Sequence, residues 1–204
     1  LKFIRPEMET IFSLEEYAGR LERVKAGMAA AGLDLLYLTS PEAICYLSGF
    51  RAEWYQAQGP MSWLPISGLA VHVDADDYIH FEVQNEQIIA GFTSVSRDLR
   101  IFGGDAQPGN DVLDFIVDEL DGEGWLKGRV GLEMFSYRPN RGVSEMMQAA
   151  MEAKGATVVD GTAIVGNVRK IKSPQEIAFT RTAAKIGDIG MQAAHDAICP
   201  GVTE

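Results

Sequence analysis

A chain of 204 residues with 47% apolar side chains carries enough apolar surface for a buried core, which excludes a disordered segment. Eighteen basic against 29 acidic residues leave a formal charge of -11, and a field of that sign repels nucleic acid and anionic membranes, so neither is expected as a partner. No apolar run approaches the roughly 18 residues of a membrane span, and two cysteines, Cys45 and Cys199, fall far short of a disulfide framework, so a cytoplasmic location is expected. The N-terminus lacks a basic segment followed by a long apolar one, and a chain opening on Leu1 is expected to lack a few native residues.

Residues 1–12 carry Pro6 and charges without period and read as an arm laid over the surface or against a partner subunit. Ser13 then opens a helix: Glu16 stands three residues later, and Tyr17, Leu21, Val24 and Met28 recur at helical spacing until Gly32 stops it. Leu35 to Thr39 is an apolar run with the pattern of a strand buried on both faces in a parallel or mixed sheet. Ser40-Pro41 breaks it, Ala43 to Leu47 reads as a short helix or turn, and Ser48-Gly49-Phe50 as a tight bend. Gly68 to Val73 and Tyr78 to Val83 flank Asp74-Ala75-Asp76-Asp77 as a β-hairpin. A short helix is predicted over Gln84 to Phe92, a strand with irregular flanks over Ser94 to Phe102, and a turn-rich loop over Gly103 to Asn110. Val112, Phe115, Ile116 and Leu120 align on one side of a helix that begins at Asp111. Arg129 to Glu133 reads as a strand, Ser136 to Pro139 as a turn, Arg141 to Lys154 as a helix ended by Gly155, and Ala156 to Val159 as a last short strand. Strands alternating with helices predict an α/β fold, a layered sheet with helices on both faces, without internal repeats.

A linker at roughly 161–172 leads to Ser173, a helix N-cap with Pro174 at the first helical position and Glu176 placed to reach back to its amide. Phe179, Ala183, Ile186, Ala193 and Ala197 share one face, with Arg181, Lys185, Asp188 and Asp196 elsewhere, which predicts an amphipathic helix of roughly 24 residues stopped by Pro200-Gly201. Only Val202, Thr203 and Glu204 follow, so its apolar stripe is expected to belong to a second domain cut short soon after it begins.

Arg169-Lys-Ile-Lys-Ser-Pro-Gln-Glu-Ile177, Thr182-Ala-Ala-Lys-Ile-Gly-Asp-Ile-Gly190 and Pro200-Gly-Val-Thr-Glu204 resemble the junction between the N-terminal and catalytic domains of the creatinase, prolidase and Xaa-Pro aminopeptidase family, the pita-bread metallohydrolases. Phe12-Ser-Leu-Glu-Glu-Tyr17 and the stretch from Gly32 to Phe50 are similar to the opening of that N-terminal domain. The resemblance implies an N-terminal α/β domain with a mixed sheet over residues 1–165, then a linker and the first helix of a truncated catalytic domain over 166–204. It also implies a homodimer acting on a small molecule or short peptide. Family chemistry uses two divalent metals (Mn, Co or Zn) held by two aspartates, a histidine and two glutamates of the catalytic domain, all of which would lie beyond Glu204. The fragment alone is therefore expected to carry no catalytic residue, bind no catalytic metal and hydrolyse nothing. Creatinase itself works without metal, and Ile186-Gly-Asp-Ile-Gly190 is close to its version of the first catalytic-domain helix.

In dimers of this family a loop of one subunit's N-terminal domain closes over the active site of the other. The loop corresponding to it here runs from Phe50 to Trp63. Arg51 reads as the receiver of a substrate carboxylate through a bidentate contact, and Trp54, Tyr55 and Trp63 as an apolar or cation-binding wall. The competing reading has Trp54 and Trp63 capping the core and Arg51 paired with Glu53 or solvent. Creatinase carries a Phe-Gly-Arg run at this place that holds the creatine carboxylate; it is missing here, which argues against creatine as substrate. His72 and His80 on neighbouring strands, with Glu82, make a zinc site geometrically conceivable, but structural roles are the expected ones because a one-residue slip of register parts the imidazoles. His195 has no ligand at useful spacing, Asp74, Asp76 and Asp77 lack the calcium-loop pattern, Gly103-Gly104 lacks a phosphate fingerprint and Cys45 has no evident base.

The expected function is that of the substrate-gating, dimer-forming N-terminal domain of a cytoplasmic C–N bond hydrolase. An alternative is a non-catalytic protein-binding module of the same fold, for which the acidic charge suits a basic partner. A third is a free-standing small-molecule binder that uses residues 50–63 as its lid.

Overall fold

The computed structural model describes residues 8–51, 67–103, 111–135, 141–201 and 203. Its strands are β1 (Leu35–Leu38), β2 (Gly68–His72), β3 (Tyr78–Val83), β4 (Asp98–Phe102), β5 (Arg129–Leu132) and β6 (Thr157–Asp160). Its helices are α1 (Leu14–Ala30), α2 (Pro41–Ser48), α3 (Gln87–Thr93), α4 (Asp111–Gly122), α5 (Arg141–Ala153), α6 (Ala163–Arg169) and α7 (Pro174–Ala197). The strands form one sheet in the order β4-β3-β2-β1-β5-β6. It is mixed: β3–β4, β1–β5 and β5–β6 pair parallel, β1–β2 and β2–β3 antiparallel.

Strand β1 is central because all four of its side chains are apolar and fully buried. Leu36 and Leu38 join Leu69, Val71 and Tyr78 under α1, α2 and α6, while Leu35 and Tyr37 join Ala70, Ile79 and Phe81 under α4 and α5. The sheet thus has helices on both faces, as the alternation of elements predicts. Ser13 caps α1 by accepting from the Glu16 amide, and Ser40 caps α2 with Pro41 at the first helical position, so that α2 starts two residues before the predicted Ala43.

Elsewhere the structure differs from the sequence reading in ways that side-chain bonds explain. Residues 84–86 form a 3-10 turn ahead of α3, and β4 begins at Asp98 instead of Ser94. Ser94 Oγ donates to Ala90 O at 2.6 Å and Ser96 is turned inward, so 94–97 close the helix before the ladder starts. The segment predicted as a linker contains α6, because Ile164, Val165 and Val168 form a one-turn apolar face that packs on the core. That repeat is too short to stand out as a helical period. The described part of the arm lies over the chain's own surface: the Glu9 amide donates to Phe92 O at 2.9 Å, and Phe12 stands edge-on to Tyr17 at 6.0 Å. The predicted turn at 136–139 and all but Gly103 of the 103–110 loop lie outside the described residues.

Contacts divide the chain into Leu1–Val168 and Arg169–Glu204. The second unit is built on α7, whose capping box is complete: Glu176 N donates to Ser173 Oγ at 3.2 Å, and Ser173 N donates to Glu176 Oε2 at 2.8 Å. None of the residues of α7 is buried, and its Phe179, Ile186, Ile189 and Met191 are exposed. No helix among the described residues is long and apolar enough to cross a membrane.

Candidate functional site

The site is built on the C-terminal end of α2. Gly49 ends that helix in the left-handed region, φ 82°, and a Cβ there would stand 2.8 Å from the Tyr17 hydroxyl, so both conformation and space call for glycine. Ser48 Oγ donates to Ile44 O at 2.7 Å and accepts from the Phe50 amide at 3.1 Å, which carries the chain out of the helix in one direction. Phe50 is fully buried and Arg51, next to it, is exposed. Arg51 therefore stands on a rigid stem. Trp54, Tyr55 and Trp63, and the Glu53 of the competing reading, lie outside the described residues.

Beneath that stem lie polar groups that sequence reasoning did not join to it. His80 is fully buried, its ring 5.3 Å from that of Phe50, with Nδ1 2.8 Å from Ser96 Oγ. Its Nε2 lies 3.8 Å from Glu82 Oε1; among the described residues neither atom has a hydrogen-bond partner, nor does the buried Ser67 Oγ. Unpaired buried polar atoms of this kind cost about 1–3 kcal/mol each. His72 is not part of this group. The register pairs Leu69 with His80 and Val71 with Tyr78, so His72 faces the opposite side of the sheet, where it stacks on Trp125 at 5.1 Å. Asp74 and Asp76 are exposed, and Asp77 accepts from the Tyr78 amide at 2.9 Å, the behaviour of a solvated turn.

At its other end α2 is clamped by Glu133, a buried carboxylate that follows β5. Glu133 Oε2 accepts from the amides of Thr39 and Ser40, both at 2.6 Å, and Oε1 accepts from Ser40 Oγ at 2.9 Å. Burial pushes this carboxyl above its ordinary value, and the bonds from Ser40 and Thr39 pull it back only in part. The helix is also held from α1 by Arg20, which donates to Tyr46 O at 2.9 Å and to Glu16 Oε1 at 3.1 Å, and lies over the rings of Phe12 and Tyr46 at 4.0 and 4.5 Å. Sequence reasoning missed both residues. The signal for Glu133 was a lone acid at the end of an apolar strand, and for Arg20 a cation within the apolar repeat Tyr17, Leu21, Val24.

Residues 20–171 match the model of the creatinase/prolidase N-terminal domain. The chain belongs to this family. The chain is 30% identical over 181 residues to ectoine hydrolase of Halomonas elongata, covering 86% of this chain and 42% of that protein. Among solved structures it resembles the Xaa-Pro dipeptidase from Bacillus anthracis, with a TM-score of 0.66 at 18% identity over 92% of this chain and 45% of the other. It also resembles the N-terminal domain of a cytoplasmic peptidase from Mycobacterium tuberculosis, with a TM-score of 0.55 at 20% identity over 74% of this chain and 98% of the other. The chain spans less than half the length of the curated relatives it matches.

Among the described residues no three His, Cys, Asp or Glu side chains stand together as metal ligands. The creatinase/prolidase N-terminal domain thus offers, in its described part, an exposed arginine on a rigid stem above a buried polar group. An exposed guanidinium can pair with a carboxylate through two parallel hydrogen bonds.

Proposed function

We propose that this chain is the substrate-gating and dimer-forming part of a C–N bond hydrolase that works in the cytoplasm on a small molecule or short peptide. Residues 1–165 are the N-terminal domain, and 166–204 are the connection to a catalytic domain together with its first helix. The observation that carries this reading is the match of residues 20–171 to the creatinase/prolidase N-terminal domain. The exposure of Arg51 at the end of α2 supports its finer part. In the homodimer, Arg51 of one subunit reaches the active site of the other and receives the substrate's carboxylate, with Trp54, Tyr55 and Trp63 walling the rest of the substrate. The catalytic groups come from the part of the protein after residue 204, so residues 1–204 alone are inactive. They work either through two divalent ions, which activate water and clamp both ends of the displacement, or, in a creatinase-like protein, without metal.

Assay of the full-length protein against Xaa-Pro dipeptides, N-terminal Xaa-Pro peptides, guanidino acids and cyclic amidines such as ectoine, with and without manganese, cobalt or zinc, tests the reaction class. Hydrolysis of one of these classes is expected. No turnover of any, with retention of a basic protein partner that fades with salt, selects the binding-module reading instead. Arg51→Ala is expected to raise KM about tenfold with little change in thermal stability, since one charge-assisted bidentate contact is worth that much. A groove of about 550 Å³ lined by Leu14, Tyr17, Leu21, Leu47, Ser96 and Arg97 does not include Arg51.

A further inference from the structure

His80 and its neighbours are not used by the function proposed above, yet they sit where the chain enters and leaves residues 52–66. On the entering side, the Phe50 ring stands edge-on to the His80 ring, their centroids 5.3 Å apart. On the leaving side, the β2–β3 register that sets Gly68 opposite Phe81 and Leu69 opposite His80 brings Ser67 into step with Glu82. Ser67, His80 and Glu82 are all buried, and each keeps a polar atom without a hydrogen-bond partner among the described residues. A phenylalanine would fill position 80 with no such demand. What an imidazole adds is a bond at one edge. Its Nδ1 lies 2.8 Å from Ser96 Oγ, and Ser96 Oγ is itself 3.3 Å from the Tyr78 hydroxyl, so the ring has one orientation in which to meet Phe50.

We propose that His80, oriented by Ser96, is a positioning residue for Arg51: the pinned imidazole fixes the ring of Phe50, and Phe50 fixes where the neighbouring arginine is presented. The catalytic consequence of this rests on the role proposed for Arg51, whereas the positioning itself does not.

The experiment is limited trypsinolysis of the full-length protein, reading the rate of cleavage after Arg51 against that after Lys172, in the wild type and in His80→Phe, Ser96→Ala and His80→Asn. His80→Phe and Ser96→Ala are each expected to raise the relative rate about fivefold by letting the segment at Arg51 open more often, and His80→Phe to do so with its Tm unchanged or higher. His80→Asn, which keeps a polar atom toward Ser96 but loses the ring that meets Phe50, is expected to raise the rate as His80→Phe does. In the substrate assay the first two variants should raise KM with kcat unchanged, and neither should add to the effect of Arg51→Ala. An unchanged cleavage rate in both His80→Phe and Ser96→Ala overturns the proposal, whatever the kinetics show. Faster cleavage together with a wild-type KM for Arg51→Ala leaves the positioning standing and removes the role of Arg51. Should His80→Phe fail to fold, Ser96→Ala, which leaves the imidazole in place, decides the matter.

Discussion

Arg20 does the work of several residues at once, since its guanidinium, 2% exposed, bonds to Glu16 and Tyr46 and lies over the rings of Phe12, Tyr17 and Tyr46. Lysine offers a point charge without the planar fork, so Arg20→Lys is expected to cost about 1–2 kcal/mol and Arg20→Ala about 3 kcal/mol, read from urea midpoints at constant slope. An Arg20→Ala loss below half a kcal/mol, roughly the size of an exposed pair, would show the cluster to be dispensable. For Glu133 the prediction concerns pH. Its folded-state pKa is raised above the ordinary 4.5, so the unfolded chain loses this proton first as pH rises. The group's contribution to stability is complete below that ordinary value and is lost as pH rises through the folded value. The stability of the wild type relative to Glu133→Gln should therefore decline as pH rises above the ordinary 4.5, and parallel curves would speak against a raised pKa.

Among the secondary elements, glycines separate tight packing from slack. In α1 a Cβ on Gly27 would meet Ile164 Cγ2 at an ordinary 3.5 Å, so Gly27→Ala is expected to stabilise by about 0.5–1 kcal/mol through helix propensity. In β5 a Cβ on Gly131 would come within 2.7 Å of Leu33 Cδ1 and 3.4 Å of Gly161 Cα, so Gly131→Ala is expected to cost about 1–3 kcal/mol. Thermal melts of the two variants should move in opposite directions. On α7, Ser173→Ala removes one half of the capping box and should lower the protection of the first-turn amides by about 1 kcal/mol in hydrogen exchange, the Glu176 amide above all.

For the whole molecule, the formal charge of -11 over these residues bears on association. Two like-charged copies repel at low ionic strength, so the homodimer proposed above should become tighter as salt rises from about 20 mM to about 300 mM. Sedimentation of the full-length protein at micromolar concentration reads this directly, and a monomer at every salt concentration would remove the gating of one subunit's site by the other.

The sequence by itself determined most of the elements and their class. Ser13 and Ser173 before Glu at the third position, the buried run Leu35 to Leu38 and the Asp-rich hairpin turn are local signals, each decided by neighbours in the chain. The family also was legible, because its motifs stand in order at the two ends of the domain, from Phe12 to Phe50 and from Arg169 onward. Tertiary structure alone decided the strand order, the opposite facing of His72 and His80, and the burial of Arg20, Glu133, His80 and Glu82. A polar side chain goes inside when partners far along the chain repay its loss of water. Glu133 meets Thr39 and Ser40 more than ninety positions away, and no local pattern of residues encodes a bond of that span.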